Sequence, residues 1–331
     1  MLFRLHQQPP SHQCVDFQSL HQDTPLDGNL QAGEDLERKG SALKIDAHQH
    51  FWRHDPAIHT WMDHRMQILQ RDYLPDQLLP LLQAQQIDGC VAVQADSSWR
   101  ENDFLLELAA DHPWILGVVG WVDLQSDQLE SQLDQLCQHS KAVGVRHIVQ
   151  DEPDDRFLDG VAFRRGVKSL PARNLTFDLL IYERQLPAAI DFVRALPDVP
   201  MVLDHIAKPK IAEGQLDPWA ENLKELARSP HLMCKLSGIV TEANWLEWTP
   251  SEVAPYIETA IEAFGPDRLM LGSDWPVCCL AADYSQVRSL VEPFLQPLSW
   301  TERSAIEGGN ASRFYQLKGH PQADAQQADE G

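Results

Sequence analysis

The sequence predicts an α/β fold, a single-domain (β/α)8 barrel, on three observations. Eight apolar, strand-like runs alternate with eight helix-like stretches over roughly 275 residues, the length and rhythm of such a barrel. Chemically capable side chains collect at the C-terminal ends of those runs, the rim where such barrels carry their sites. No glycine-rich dinucleotide fingerprint follows the first run, which argues against a doubly wound open sheet.

The elements follow in order. A first strand is expected over 43–51 (LKIDAHQHF), and the apolar spacing of LPDQLLPLLQAQQ makes 74–86 its helix. Strands over 89–96 (GCVAVQAD), 115–124 (ILGVVGWVDL) and 142–150 (AVGVRHIVQ) are rich in β-branched residues. Their helices are expected over 101–112, 126–139 and 160–173. Strands over 176–182 (TFDLLIY), 200–208 (PMVLDHIAK), 231–240 (HLMCKLSGIV) and 268–276 (RLMLGSDWP) precede helices over 185–196, 219–229, 250–265 and 283–295. A last helix is expected near 301–315. Residues 1–41, rich in Gln, His, Asp and Pro without periodicity, read as a poorly ordered leader, 42–318 as the barrel and 319–331 as a disordered tail.

Composition narrows the partners. Against 27 Lys and Arg stand 49 Asp and Glu, a formal charge of -22 that repels nucleic acid and anionic membrane surfaces. No apolar stretch approaches the length of a membrane span, and the N-terminus lacks the apolar core of a secretory signal. The six cysteines form no CxxC pair, and Cys90 and Cys234 sit in apolar runs, which suits a reducing cytoplasm. Oligomeric state is not legible.

The strand ends read HQH (48–50), QAD (94–96), WVD (121–123), Arg146–His147, Tyr182, Asp204–His205 with Lys208, Ser237–Gly238, and SDW (273–275). Polar groups deeper in a buried strand are costly, so several such ends suggest one shared pocket. His48 and His50 point to one face of an extended strand and can converge on one point. Asp46 is expected on that face, one layer deeper, orienting a ring N–H. Arg146 and His147 have opposite parity; Arg146 is expected inward, as a fork for a carboxylate or carbonyl oxygen, with a salt bridge to Asp151 or Glu152 as its structural alternative. Trp52, Trp61, Trp99, Trp121 and Trp275 lie near these ends, and a mouth lined with tryptophan suits a sugar-like ligand.

IDAHQHFW, the lone histidine of DHIAKP, KLSG and LMLGSDWP together resemble the amidohydrolase superfamily. GVVGWVDL, VGVRHIVQDEPDD, FDLLIY and KLSGIVTEA bring the resemblance to its lactonase-like branch, the L-fuconolactonase and L-rhamnonolactonase group, over roughly residues 43–317. The resemblance implies a distorted (β/α)8 barrel and a hydrolase that opens a sugar lactone. Asp274 would be its general base, with His48, His50 and His205 stabilising the oxyanion. Arg146, Trp52, Tyr182 and Lys208 would bind substrate. One divalent ion, zinc by the donor set, would sit on His48, His50 and Asp274; branch members also work without a metal. The fourth strand carries Arg146 in place of a bridging Lys, and the fifth ends in Ile181–Tyr182 without a histidine, so a two-metal site lacks its ligands. A mononuclear-zinc decarboxylase and a non-catalytic sugar-acid-binding barrel are the alternative readings.

Overall fold

The computed structural model describes residues 43–317, so the leader and tail expected above lie outside the described residues. Eight parallel strands run in sequence order around a single sheet: β1 (Ile45–Gln49), β2 (Gly89–Val93), β3 (Ile115–Gly120), β4 (Ala142–Ile148), β5 (Thr176–Leu180), β6 (Met201–Leu203), β7 (Leu232–Leu236) and β8 (Leu269–Leu271). Each is followed by a helix: α1 (Pro75–Ala84), α2 (Trp99–Asp111), α3 (Leu129–Leu136), α4 (Val161–Ser169), α5 (Leu186–Ala195), α6 (Trp219–Leu226), α7 (Pro250–Phe264) and α8 (Tyr284–Leu295). The first and last strands meet through a parallel bridge between Gln49 and Trp275. Beside it Asp274 N–H donates to His48 O at 2.8 Å, and His50 N–H to Trp275 O at 2.7 Å. The contacts that close the barrel therefore also fasten the two segments richest in site residues.

Local chemistry explains where elements begin. Pro250 opens α7, where Thr249 N–H donates to Glu252 Oε2 at 2.7 Å; at α8 Asp283 and Gln286 satisfy each other's N–H groups reciprocally. The strands' outward faces bury Cys90, Ala92, Phe177, Leu179, Cys234 and Leu236 among the helices. Phe163 of α4, Phe177 of β5 and Phe192 of α5 stand with ring centroids 6.0 Å apart, each pair contributing about 0.5–1.5 kcal/mol beyond area burial. A second cluster, including Ile45, Ala47, Val91, Val93, Val119, Val202 and Met270, fills the inward side, with Tyr315 and Leu317 of the C-terminal segment packed into it.

The strands stop earlier than expected, because their polar ends leave the ladder. The sixth departs most: the run expected over 200–208 ends at Leu203, and 204–207 forms a tight turn. Among the described residues no helix is long and apolar enough to cross a membrane.

Candidate active site

The first site element owes its geometry to one extra residue. Between Asp46 and Gln49 the register of β1 against β2 slips, three steps on one strand facing two on the other. The bulge resets the parity, so His48 and His50 turn inward while Asp46 does not share their face. Asp46 instead accepts from Ser273 N–H at 2.9 Å, His48 N–H at 3.2 Å and Tyr284 O–H at 3.0 Å. The expectation that it orients a histidine ring is therefore corrected: it ties β1 to the segment after β8.

His205 arrives on unusual backbone. His205, Ile206, Ala207 and Lys208 all have positive φ, between 47° and 61°, a left-handed turn of non-glycine residues. Each such residue costs roughly 1–2 kcal/mol, so packing must enforce the turn. Ile206 and Ala207 are fully buried, Trp219 Nε1–H donates to Ile206 O at 2.7 Å, and Lys208 N–H to His205 O at 2.8 Å. The turn aims His205 at the barrel axis and carries Lys208 to the wall above it. His205 does not cap a helix, for α6 begins only at Trp219.

Asp274, also at positive φ (59°), stands opposite. Its Oδ1 lies 3.3 Å from His50 Nε2 and 3.9 Å from both His48 Nε2 and His205 Nε2. His48 Nε2 and His50 Nε2 are 3.2 Å apart. The far nitrogens are engaged: His50 Nδ1 with Val93 O at 2.7 Å, and His205 Nδ1 with Ser237 Oγ at 2.9 Å. A carbonyl only accepts, so His50 carries its proton on Nδ1 and presents a lone pair at Nε2. Burial, opposed by Asp274 and Asp204, brings the His205 imidazole down to about 4, and burial likewise holds His48 well below its usual range. Burial alone would push the Asp274 carboxyl up; the facing imidazoles outweigh it and hold the group well down, an anion at neutral pH.

Arg146 points inward as expected, but neither Asp151 nor Glu152 is its partner. Its Nη1 lies 3.3 Å from Asp204 Oδ2 and 3.3 Å from His48 Nε2, and its Nη2 donates to Gln94 O. His147 turns the other way, to Glu152 Oε1 at 2.7 Å and flat against Phe157. Below the histidines lies a feature the strand-end reading missed. Lys235, fully buried on β7, places Nζ 2.5 Å from Asp178 Oδ2, 3.0 Å from Asp204 Oδ1 and 3.1 Å from His48 Nδ1. Tyr315 O–H donates to Asp178 at 2.8 Å. A chain of ionic contacts thus runs from the barrel floor to His48 and Arg146.

Above these groups opens a cavity of about 430 Å³. His50, Arg146, His205 and Asp274 form its floor, and Trp52, Tyr182 and Lys208 its walls, so the expected residues converge. Of the other tryptophans singled out, Trp61 lines the cavity, whereas Trp275 packs on Tyr73 and Phe51 beneath it. Trp245 and Glu242, on the connection after β7, also line it and were missed, because the strand-end reading stopped at Gly238. Gly238 has φ +58°, and a Cβ there would stand 2.5 Å from His205 Nδ1 and 3.0 Å from Asp274 Oδ2. Gly238→Ala is expected to lower stability by roughly 1–3 kcal/mol and to displace His205 from Ser237, readable by urea unfolding and by the His205 ring resonances. Wild-type values would show that the position tolerates a side chain.

The donor set fits a single divalent ion. Ligands 2.0–2.1 Å from a tetrahedral ion stand roughly 3.3–3.4 Å from each other, and the three donor atoms of His48, His50 and Asp274 span 3.2–3.9 Å. Three protein ligands leave a position open for water or substrate.

Residues 45–317 match the family model described as Amidohydrolase. The chain is 47% identical to an L-fucono-1,5-lactonase of Burkholderia multivorans over 83% of its own length and 97% of that protein's. It is 35% identical to an L-fucono-1,5-lactonase of Burkholderia ambifaria, covering 83% and 96%. A crystal structure of an amidohydrolase from Burkholderia multivorans with bound zinc superposes with a TM-score of 0.80 at 46% identity, over 83% of this chain and all of that one.

Proposed function

The chain belongs to the amidohydrolase family, and from that premise we propose that it hydrolyses a sugar lactone, an aldonic acid closed as a ring ester, to the free hydroxy acid. L-fucono-1,5-lactone is the first substrate to test, because two relatives matched over nearly their whole length carry that activity in their names. The observation that carries the reading is a buried carboxylate facing three imidazoles with a guanidinium beside them, at a cavity floor that His50, His205, Arg146 and Asp274 line.

Asp274 directs Oδ1 at the imidazoles, and among the described residues no donor is bonded to its Oδ2. That oxygen is the place for the attacking water. A carboxylate held so far down is a weak base, so it orients the water and takes its proton only as the new C–O bond forms. The carbonyl must then be activated from the other side. Arg146 and His205 are placed to donate to the oxyanion as charge develops there. Collapse breaks the ring C–O bond, and Asp274 returns its proton to the departing alkoxide. An ester with an alkoxide leaving group asks less of these groups than an amide. Zinc held by His48, His50 and Asp274, with their geometry and nitrogen-rich donors, would add Lewis-acid polarisation of the carbonyl when bound.

The test is a panel of aldonolactones including L-fuconolactone and L-rhamnonolactone, with acid release followed by a pH indicator and metal content measured on the same preparation. Acceleration over the spontaneous rate is expected, and none across the panel would overturn the reading. The acid limb has a defined sign. His205 is neutral above about 4; protonation below that value sets a cation against Asp274 and removes its free charge. kcat/KM should be level from about pH 5 to 7 and fall about tenfold per unit below pH 4. A break near the ordinary imidazole value of about 6.5 would contradict the burial of His205.

A further inference from the structure

We infer that Glu242 and Lys208 together read a hydroxyl group of the sugar ring, and that Glu242 is the residue that discriminates among lactone stereoisomers; this rests on the lactonase reading above. Glu242 ends the short turn Val240–Glu242 after β7 and faces the cavity across from the strained turn that carries Lys208. Its Oε1 lies 3.8 Å from Lys208 Nζ, beyond hydrogen-bond length, with both side chains only about one-fifth exposed. Among the described residues its carboxylate receives no hydrogen bond, although burial pushes the group up and only Lys208 opposes that. Lys208 Nζ in turn sits 5.4 Å over the Tyr182 ring.

A carboxylate accepts, an ammonium donates, and a hydroxyl does both. A ligand oxygen about 2.8 Å from each group would take one bond from Lys208 and give one to Glu242. Neither bond involves the reacting ester, which belongs to the floor around Asp274. Trp52, Trp61 and Trp245 border the same cavity and supply aromatic wall for the ring's C–H groups. This pair therefore spends binding energy on the part of the substrate that distinguishes one sugar from another. A site built to bond a hydroxyl rejects its epimer or deoxy analogue, because the buried partners are left unpaired.

The experiment compares wild type with Glu242→Ala, Glu242→Gln and Lys208→Met on epimeric and singly deoxygenated lactones. Glu242→Ala should raise KM on the best lactone about 10- to 100-fold and leave kcat within about threefold. On the analogue lacking the clamped hydroxyl the same substitution should cost less than about threefold. Glu242→Gln, which still accepts but carries no charge, should fall between. Lys208→Met should lose a similar factor, and the double variant less than the product of the two. An equal penalty on every analogue, or a fall in kcat at unchanged KM, would overturn the clamp. Calorimetric binding of the open-chain hydroxy acids decides the clamp independently of turnover. Acids bound equally by wild type and Glu242→Ala count against it, and selective binding lost in the variant counts for it. A wild type that turns over no lactone overturns the lactonase reading instead.

Discussion

Asp274→Asn should lower kcat/KM on the preferred lactone about 10³-fold, with kcat carrying most of the loss. The substitution preserves shape: an amide of the same size, on the same strained backbone after β8, still bonded through its N–H to His48 O. It replaces an oxygen that can hold a water's proton with one that cannot. Stability should fall modestly, since the facing imidazoles outweigh the cost of burying the carboxylate and their attraction is lost with the charge. Melting temperature within a few degrees of wild type, together with the kinetic loss, separates a chemical role from a structural one. The companion His205→Asn should cost about 10- to 100-fold, because Arg146 remains to meet the oxyanion. Turnover of Asp274→Asn within about tenfold of wild type would remove Asp274 from the chemistry and return the HxH pair to a purely structural role.

The rhythm of the chain was legible because burial writes it directly: apolar runs begin where strands begin, and each observed strand starts within two residues of its expected position. Strand ends were less legible. A polar residue after an apolar run looks the same whether it stays in the ladder or leaves it, so the left-handed turn at His205–Lys208 was read as strand. Parity arguments also assume an unbroken ladder. That assumption served Arg146 and His147, where β4 pairs with β5 in unbroken register, and failed for Asp46, where the β1 bulge inserts a residue. Glu242 and Trp245 were missed for another reason. They sit on a connection whose path depends on packing that no local pattern encodes, here including Arg65 drawn over the Trp245 ring from the segment after β1. Lys235 and Asp178 did leave a signal. Each is a charge in the middle of an apolar strand run, affordable only if the two meet inside the barrel.

That meeting supports the second large prediction, Lys235→Met. The ammonium stands 2.5 Å from Asp178 Oδ2, 3.0 Å from Asp204 Oδ1 and 3.1 Å from His48 Nδ1. Methionine matches the bulk and removes all three contacts, leaving two buried carboxylates with Arg146, Tyr315 and the His48 ring as their neighbours. Breaking one member of a buried ionic set typically costs about 3–5 kcal/mol, which for a domain of this size lowers the melting temperature by about 10 °C. The loss should shrink as pH falls. Burial already brings Asp178 up to about 6 with Lys235 beside it; without the cation it rises further, and the neutral acid tolerates the interior. Lys235→Met should therefore be most destabilised near pH 8 and least near pH 5, the opposite of a cavity defect, whose cost is independent of protons. Adding Asp178→Asn removes one orphaned charge and leaves Asp204 on Arg146, so the double variant should regain roughly half the loss. Because Lys235 also touches His48 Nδ1, the double variant should remain slow despite the stability it regains. A Lys235→Met protein equally stable at both pH values would show that the interior lysine is not holding these carboxylates in their charged form.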